Sequence, residues 1–223
     1  MSEALVLNAV CKTYRTGGET VDALRRVNLR VQAGRFLCVT GPSGSGKTTL
    51  LKVSAGYLAP DEGKVWIFDQ DVYELSIGER LALRNRIVGF MFQENLLLED
   101  LTAFENVELP LVVQGVVKNT REDRVRRALR SVGIPDLERR RPDEVSGGER
   151  RRISLARSLV NGCRILFVDE PTSNLDSTAA GAILDMLRHL NQLGLTIVAA
   201  THDPLVAQRA DENVKMRDGK TEV

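Results

Sequence analysis

The chain has 223 residues, of which 43% are hydrophobic and 27% charged, and its formal net charge is +1. Nucleic-acid-binding domains usually carry a large basic excess, so we expect no nucleic-acid partner. The cysteines Cys11, Cys38 and Cys163 are far apart and odd in number, which favours a reducing compartment over a disulfide framework or a zinc site. The sequence has neither an apolar run of about 18 residues nor a signal-peptide pattern, so we expect a cytoplasmic protein.

Short apolar or alternating runs predict strands at Leu5–Val10, Val27–Val31, Phe36–Thr40, Lys64–Phe68, Ile87–Phe92, Ile165–Val168, Thr196–Ala200 and Asn213–Arg217. Helical periodicity predicts helices at Lys47–Ala55, Arg121–Val132, Glu149–Val160 and Thr178–Leu193. Several strands are continuously apolar, which is typical of a parallel sheet covered on both faces. The alternation of strands and helices predicts an α/β core.

Two parts of the chain depart from this alternation. The early strands flank a Gly17–Gly18 turn and predict an antiparallel accessory sheet. Between residues 94 and 160 the strand pattern disappears and helical periodicity replaces it. We therefore expect a single domain over 1–223, with an α/β core and antiparallel part from 1–93 and 161–223. Residues 94–160 are then an inserted helical subdomain.

The segment GPSGSGKT, residues 41–48, follows an apolar strand and opens a predicted helix. This GxxxxGK[ST] pattern in that setting predicts a phosphate-binding loop rather than a flexible Gly/Ser loop. Lys47 would reach the β- and γ-phosphates, and the Thr48 hydroxyl would ligate Mg²⁺. The residues of this predicted nucleotide-binding loop are Gly41, Pro42, Ser43, Gly44, Ser45, Gly46, Lys47, Thr48 and Thr49.

ILFVDEP, residues 165–171, is a second apolar strand, and it ends in two carboxylates. Ligands bind at the carboxyl ends of parallel strands. Asp169 is the expected partner of Mg²⁺, usually through water, and Glu170 would polarise the attacking water as general base. Strands often end in acidic residues, so this motif alone is a weak indication of a metal site. It becomes a strong one in a chain that also has the phosphate-binding loop.

Six motifs occur in one order along the chain: GPSGSGKTT, FQ at 92–93, SGGE at 146–149, VDEP at 168–171, SNLD at 173–176 and THD at 201–203. In this order the chain resembles the ATP-binding-cassette (ABC) ATPases over essentially its whole length. The resemblance implies a P-loop NTPase core whose helical subdomain carries the SGGE signature.

The resemblance also implies roles for residues outside the phosphate loop. Gln93 looks like the Q-loop glutamine, which contacts Mg²⁺ or the water and senses the γ-phosphate. His202 matches the switch histidine, hydrogen-bonded near that phosphate. Tyr14, just after the first predicted strand, sits where the family stacks an aromatic ring on adenine; the alternative is an ordinary edge-strand aromatic.

A head-to-tail dimer, of two identical chains or of two different cassettes, is implied as well. Its residues for the ATP of the partner subunit are Ser146, Gly147, Gly148, Glu149 and Asp176. Asp176 would otherwise be a simple helix N-cap. The signature departs from the family's commonest residues at Val145 and Glu149, but neither change removes Ser-Gly-Gly.

Residues 90–111 are similar to cassettes of the lipoprotein-releasing and macrolide-export type. This implies a separate integral membrane permease, a peripheral location on the inner face of the membrane, and export or extraction of an amphiphile. We expect the permease contact near Leu96, Leu97 and Leu98, with the core of the helical subdomain as the alternative place for these side chains. Alternative functions are mechanical regulation of a cell-envelope complex without transport and, less favoured, a soluble ABC ATPase acting on nucleic acid.

The three consecutive arginines after the signature need a separate interpretation. At about 100° per residue, the predicted helix has one apolar face, formed by Ile153, Ala156, Leu159 and Val160. Arg150, Arg151 and Arg157 then lie mostly opposite, as solvated or interface charges rather than a nucleic-acid patch. Arg152 projects toward the apolar face, so we expect a carboxylate or carbonyls to hold it as a structural arginine.

Overall fold

A computed structural model describes residues 2–16 and 19–222. The elements in chain order are β1 (Glu3–Thr16), β2 (Glu19–Gln32), β3 (Phe36–Thr40), α1 (Lys47–Ser54), β4 (Glu62–Ile67), β5 (Gln70–Asp71), α2 (Ile77–Ile87), β6 (Val88–Met91), α3 (Ala103–Val113), α4 (Lys118–Ser131), α5 (Gly147–Leu159), β7 (Ile165–Asp169), α6 (Ser177–Gln192), β8 (Thr196–Thr201), α7 (Pro204–Arg209), β9 (Glu212–Arg217) and β10 (Lys220–Glu222).

The larger sheet has the strand order β10–β9–β3–β8–β7–β6. Strands β9, β3, β8, β7 and β6 pair in parallel, and β10 is antiparallel to β9. Alternate residues of the central strands belong to two different hydrophobic clusters, so both faces are covered, which explains the continuous apolar runs. The carboxyl ends of β3, β8, β7 and β6 consequently meet at one edge.

The smaller sheet is antiparallel, in the order β2–β1–β4–β5. Strands β1 and β2 extend well beyond their predicted bounds because backbone pairing continues through polar residues, as in the pair Thr13↔Asp22, and includes the pair Tyr14↔Val21. Tyr14 therefore lies within β1, and its predicted place after the first strand is wrong. The predicted Gly17–Gly18 turn lies outside the described residues.

Between residues 94 and 160 the described elements are α3, α4, α5 and two short 3-10 turns at 135–137 and 142–144. The three helices contact one another and share buried residues such as Val107, Val125 and Ile153. Helix α5 also contacts β6 and α6, so this segment is continuous with one face of the large sheet. Across the described ranges, no helix is both long and apolar enough to cross a membrane.

Helices α2 and α7 lie where the sequence analysis predicts none, and α3 lies in the predicted helical region but outside the four helices given with bounds. Their first turns are capped by the side chains of Ser76, Thr102 and Asp203, respectively. In α2 and α3 a glutamate three residues later completes a capping box. The spacing in SIGE and TAFE was therefore the available sequence pattern for both helices. Helix α7 has six residues, too few to establish a periodicity.

The three cysteines are free thiols. Cys38 is fully buried in β3, and burial raises the pKa of its thiol to about 12, with Glu170 and Asp203 acting in the same direction. Cys163 places its Sγ close to Gly89 of β6, and burial raises its pKa to about 12 as well. Both thiols are therefore protonated at any pH at which the protein is handled.

We predict that iodoacetamide at about pH 8 labels at most one cysteine of the native protein, Cys11. The thiolate is the nucleophile, and a pKa near 12 leaves roughly one thiol in ten thousand ionised at that pH. Intact-mass spectrometry counts the adducts, and all three cysteines should react after unfolding. Rapid native alkylation of Cys38 would contradict the buried position of β3.

Candidate functional site

A cleft of about 530 Å³ opens at the carboxyl edge of the large sheet. Its lining residues are Tyr14, Val21, Ala23, Ser43, Gly44, Gly46, Lys47, Thr48, Thr49, Gln93, Glu170 and His202. The loop after β3, the segments after β6, β7 and β8, and the antiparallel sheet all contribute. Most predicted nucleotide-binding residues thus share one cavity, while Gly41, Pro42 and Ser45 belong to the same loop but do not line it. Val21 and Ala23 are lining residues that the sequence analysis missed.

Two glycines shape the loop between β3 and α1 because other backbone segments touch them. A Cβ on Gly41 would lie 2.1 Å from the carbonyl oxygen of Met216, and one on Gly46 would lie 2.2 Å from that of Ala23. Gly46 also has a φ of 103°, in the left-handed region that favours glycine. The loop therefore fits closely between β9 and β2.

Lys47 is the first residue of α1 and is buried. Its Nζ lies 2.8 Å from the carbonyl oxygen of Gly41 and 2.9 Å from that of Pro42. The first N–H groups of a helix have no partner within the helix, so this end of α1 favours an anion. The loop therefore has the local structure expected of a phosphate-binding site.

Glu170 follows β7 and is 8% exposed. Its Oε2 accepts a hydrogen bond of 2.8 Å from the Thr201 hydroxyl, and its Oε1 lies 2.8 Å from His202 Nδ1. The φ of Glu170 is 46°, in the left-handed region, and its backbone N–H donates to the Ala200 carbonyl. The end of β8 thus holds the carboxylate through two side chains, of which Thr201 was not among the predicted site residues.

Asp169, the last residue of β7, is 3% exposed, and its Oδ1 has no hydrogen-bond partner among the described residues. Burial raises the pKa of this carboxyl, while the Thr48 hydroxyl and Lys47 lower it. An unpartnered buried carboxylate oxygen beside a hydroxyl suits a hard cation such as Mg²⁺. The donor set predicted from Thr48, Asp169 and Gln93 therefore fits that metal.

Tyr14 and Gln93 both line the cleft. The Tyr14 ring is 40% exposed, and its hydroxyl lies 3.4 Å from the Thr49 hydroxyl. Gln93 is exposed and lies two residues beyond the end of β6. Both side chains therefore reach the cavity from elements outside the phosphate-binding loop.

A second hollow, of about 480 Å³, brings together another group of predicted residues. Ser146, Gly148, Glu149 and Asp176 line it, and none of the four lines the first cleft. Gly147 lies between them as the first residue of α5. These predicted residues therefore lie apart from the chain's own cleft.

Both helix starts at this hollow are capped. The Ser146 hydroxyl donates to Glu149 Oε2 at 2.8 Å and accepts from the Glu149 N–H, so the signature forms a capping box. Asp176 accepts from the Ala179 N–H at 2.9 Å and caps α6. The N-cap alternative for Asp176 is therefore realised in the structure, alongside its position in the hollow.

The sequence analysis assigns the structural role to the wrong arginine: the buried one is Arg151, not Arg152. Arg151, expected at the surface, is 2% exposed, and its guanidinium donates to backbone carbonyls. Arg152, expected to be the structural arginine, is half-buried and lines the second hollow. Arg157 is half-buried and donates to the carbonyls of Asn95 and Leu96, both at 2.7 Å.

The physical reason is that α5 packs on two sides. One side meets α3 and α4 through apolar residues, and another meets β6 and the segments after β6 and β7. A helical wheel with a single apolar face does not reveal the second side. Arg150 is partly exposed, with Glu99 3.9 Å away, in keeping with its predicted surface position.

Burial lowers the pKa of Arg151 to about 10, while the nearby carboxylates Asp169 and Glu170 raise it. The guanidinium therefore stays charged at neutral pH. A buried cation needs compensation, and here backbone carbonyl dipoles supply it.

The three leucines after Gln93 divide between the two predicted environments. Leu97 is half-buried and packs against the cluster of the helical segment. Leu96 and Leu98 are each 51% exposed. Buried Asn106 orders this loop by accepting from the Leu98 N–H and donating to the Leu98 carbonyl.

The fold and the cleft together define a P-loop nucleotide hydrolase of the α/β class. The family model described as "ABC transporter" matches residues 24–173. An uncharacterized ABC transporter ATP-binding protein, YvrO of Bacillus subtilis (strain 168), is 42% identical over 216 residues, covering 97% of this chain and 94% of the relative. The macrolide export ATP-binding/permease protein MacB of Brucella abortus (strain 2308) is 38% identical over 96% of this chain but 33% of its own length.

A solved structure gives the same result. A dimeric, post-hydrolysis state of the ATP-binding cassette MJ0796, bound to ADP and Pi, superposes with a TM-score of 0.90 at 36% identity, covering 98% of this chain and 97% of that one. The chain therefore belongs to the ABC transporter family, as an ATP-binding and ATP-hydrolysing subunit.

We predict that Gly46→Ala lowers the free energy of unfolding by roughly 2–4 kcal/mol. The alanine would have to adopt a left-handed φ, and its Cβ would clash with the Ala23 carbonyl. Affinity for a fluorescent ATP analogue should fall with it, since the loop would have to move. Urea denaturation and fluorescence titration measure the two effects.

Gly181→Ala in α6 is the matched control, because a Cβ there has open space around it. Its higher helix propensity should stabilise the protein by ~0.5–1 kcal/mol. Equal stability of Gly46→Ala and the wild type would contradict the close approach of β2 to the loop.

Proposed function

We propose that the chain binds ATP in the first cleft and hydrolyses it with Glu170 as general base. The observation that carries the proposal is the Glu170 carboxylate, held between Thr201 and His202 at the edge of the sheet where Lys47 and the N-terminus of α1 lie. A general base must be oriented toward the water it deprotonates, and these two hydrogen bonds orient it.

In this proposal the loop from Gly41 to Thr49 binds the phosphates through backbone N–H groups and Lys47. Tyr14 contacts the adenine, with Val21 and Ala23 beside it on the same wall. Gln93 and His202 approach the terminal phosphate from the segments after β6 and β8. Glu170 accepts the proton of the attacking water, and His202 interacts with the γ-phosphate and keeps the carboxylate in place.

Thr48, Asp169 and Gln93 would hold Mg²⁺ together with phosphate oxygens. When bound, the ion neutralises charge developing on the phosphates. Among residues 2–16 and 19–222 no cluster of three or more His, Cys, Asp or Glu side chains could hold a metal by itself. Such a sparse protein donor set suits Mg²⁺, which retains water and phosphate ligands.

We further propose a head-to-tail dimer, in which Ser146, Gly147, Gly148, Glu149 and Asp176 contact the ATP of the partner subunit. The second hollow supports this, because its residues lie away from the chain's own cleft. Support also comes from the dimeric state named for the cassette MJ0796. The domain division follows the same logic: residues 94–160 form a helical subdomain that carries the signature within a single cassette domain.

The membrane partner in the proposal is a separate permease, which would place the chain at the inner face of a membrane. Likeness to MacB, named as a macrolide export ATP-binding/permease protein, supports an export or extraction role. Leu96 and Leu98 are an exposed apolar pair three and five residues after Gln93, and such surfaces mark partner contacts. Leu97 supports the loop from inside and lies outside the proposed contact.

We predict that Glu170→Gln lowers kcat for ATP by about 10²–10⁴-fold, the usual contribution of a general base. ATP binding should persist, because the amide keeps the shape of the side chain, and a dimer should accumulate with ATP. Phosphate release and size-exclusion chromatography with ATP measure these effects.

Glu74→Gln is the control, an exposed glutamate paired with Lys64 in the antiparallel part. It should hydrolyse ATP within about twofold of the wild type, since surface substitutions have small effects. Wild-type turnover by Glu170→Gln would reject Glu170 as the base.

We predict that Leu96→Asp and Leu98→Asp abolish stimulation of ATP hydrolysis by the permease that co-purifies with the chain. Basal hydrolysis and nucleotide affinity should stay within about twofold, because both side chains are exposed and surface changes are mild.

Leu193→Asp is the matched control for an added surface charge. Leu193 follows the last residue of α6 and is 72% exposed. It should retain full stimulation. If the leucine variants are stimulated as strongly as Leu193→Asp, the proposed contact is wrong.

A further inference from the structure

Arg151 is a fully buried side chain that bridges the segments after two neighbouring strands. On one side its Nη1 donates to the carbonyls of Phe92 at 2.8 Å and Gln93 at 2.7 Å, just beyond β6. On the other its guanidinium donates to the carbonyls of the consecutive residues 169, 170 and 171, the last residue of β7 and the two that follow it. Within the described residues the side chain makes no ion pair, so these carbonyls compensate its charge.

We propose that Arg151 is a positioning residue for ATP hydrolysis: it fixes the backbone on both sides of Glu170 and, through the same guanidinium, the backbone of Gln93. The inference rests on the proposed function, in which these two side chains act on one water and one phosphate.

The backbone at Glu170 needs such a support. Strand β7 ends at Asp169, and although the Glu170 N–H still donates to the Ala200 carbonyl, the carbonyls of Glu170 and Pro171 lie beyond the strand. Glu170 adopts a left-handed φ of 46°, which a residue with a side chain keeps only when its surroundings enforce it. Carbonyls before, at and after this residue all accept from one planar group. Their common donor holds the turn, and with it the direction of the carboxylate.

The same group controls the segment that carries Gln93. Strand β6 ends at Met91, and the next two carbonyls accept from Arg151. Arg151 also donates to Asn95 Oδ1 at 3.3 Å, and Arg157, six residues further along α5, donates to the Asn95 and Leu96 carbonyls. The distance between the proposed base and the Q-loop glutamine is therefore set by a side chain of the helix that begins at the signature.

The geometry is specific to a guanidinium. Arginine has five N–H donors in a rigid plane, whereas lysine has three on one atom and glutamine two. A lysine at position 151 can donate to some of these carbonyls, and a glutamine can donate to fewer of them. The three side chains should therefore rank arginine, lysine, glutamine in their ability to hold both segments.

The test compares Arg151→Lys and Arg151→Gln in the full chain with Mg-ATP. Misplacing reacting groups by about an ångström can cost about 10²-fold in rate, so we expect kcat to fall about 10–100-fold in Arg151→Gln and less in Arg151→Lys. The Kd for a fluorescent ATP analogue should stay within about twofold of the wild type. Amide hydrogen exchange should accelerate at 92–95 and at Asp169 and Glu170 more than in β3 or α1.

Arg150→Gln is the matched control, with the same substitution one residue earlier on the same helix and at a partly exposed side chain. It should keep the wild-type kcat and exchange pattern. Adding Arg151→Gln to Glu170→Gln should slow hydrolysis by a smaller factor than Arg151→Gln slows the wild type, because only Gln93 is left to position.

An unchanged kcat in folded Arg151→Lys and Arg151→Gln overturns the inference, as does additive slowing in the double variant. A parallel loss of kcat, ATP affinity and thermal stability in Arg151→Lys also overturns it, because that pattern indicates a structural role alone. Failure of the proposed function is separate, since it shows as wild-type turnover in Glu170→Gln.

Discussion

The parallel pairing of β3, β8, β7 and β6 is the constraint on which the site depends. It aligns the carboxyl ends of four strands whose sequences are far apart in the chain, so that each loop contributes to one cleft. The strands themselves carry apolar residues with little chemical character. Their role is to hold the phosphate loop, the two carboxylates, the histidine and the glutamine in fixed relation. An antiparallel order would divide these loops between two edges.

Packing around this edge restricts the sequence in ways that composition does not show. Gly41 and Gly46 are required by approaching backbone from β9 and β2, and so the antiparallel part helps shape the phosphate loop. The buried cation of Arg151 links the ends of β6 and β7 from the opposite side. Three separate elements, β2, β9 and α5, therefore contact the loops at this edge of the sheet.

Sequence motifs identified the cleft well because its chemistry demands unusual residues at fixed spacing. GPSGSGKT after an apolar strand and DE at the end of another predicted the loop and the carboxylates before any packing was known. Arg151 was misplaced because carbonyl groups, which every residue carries, hold it, and they leave no mark in the sequence. Thr201 was missed for a similar reason, since a hydroxyl one residue before His202 is an ordinary strand residue. The lengths of β1 and β2 were underestimated because backbone pairing, rather than apolar side chains, continues them.

The position of Lys47 has a consequence for how anions are recognised. Its buried ammonium donates to two carbonyls of its own loop, which take the place of part of its water shell. Binding of a phosphate by this ammonium exchanges one set of oxygen partners for another, so the affinity reflects the difference between them. The two carbonyls fix the position of the charge within the loop, and they offset part of the attraction that a fully hydrated ammonium would exert on a phosphate.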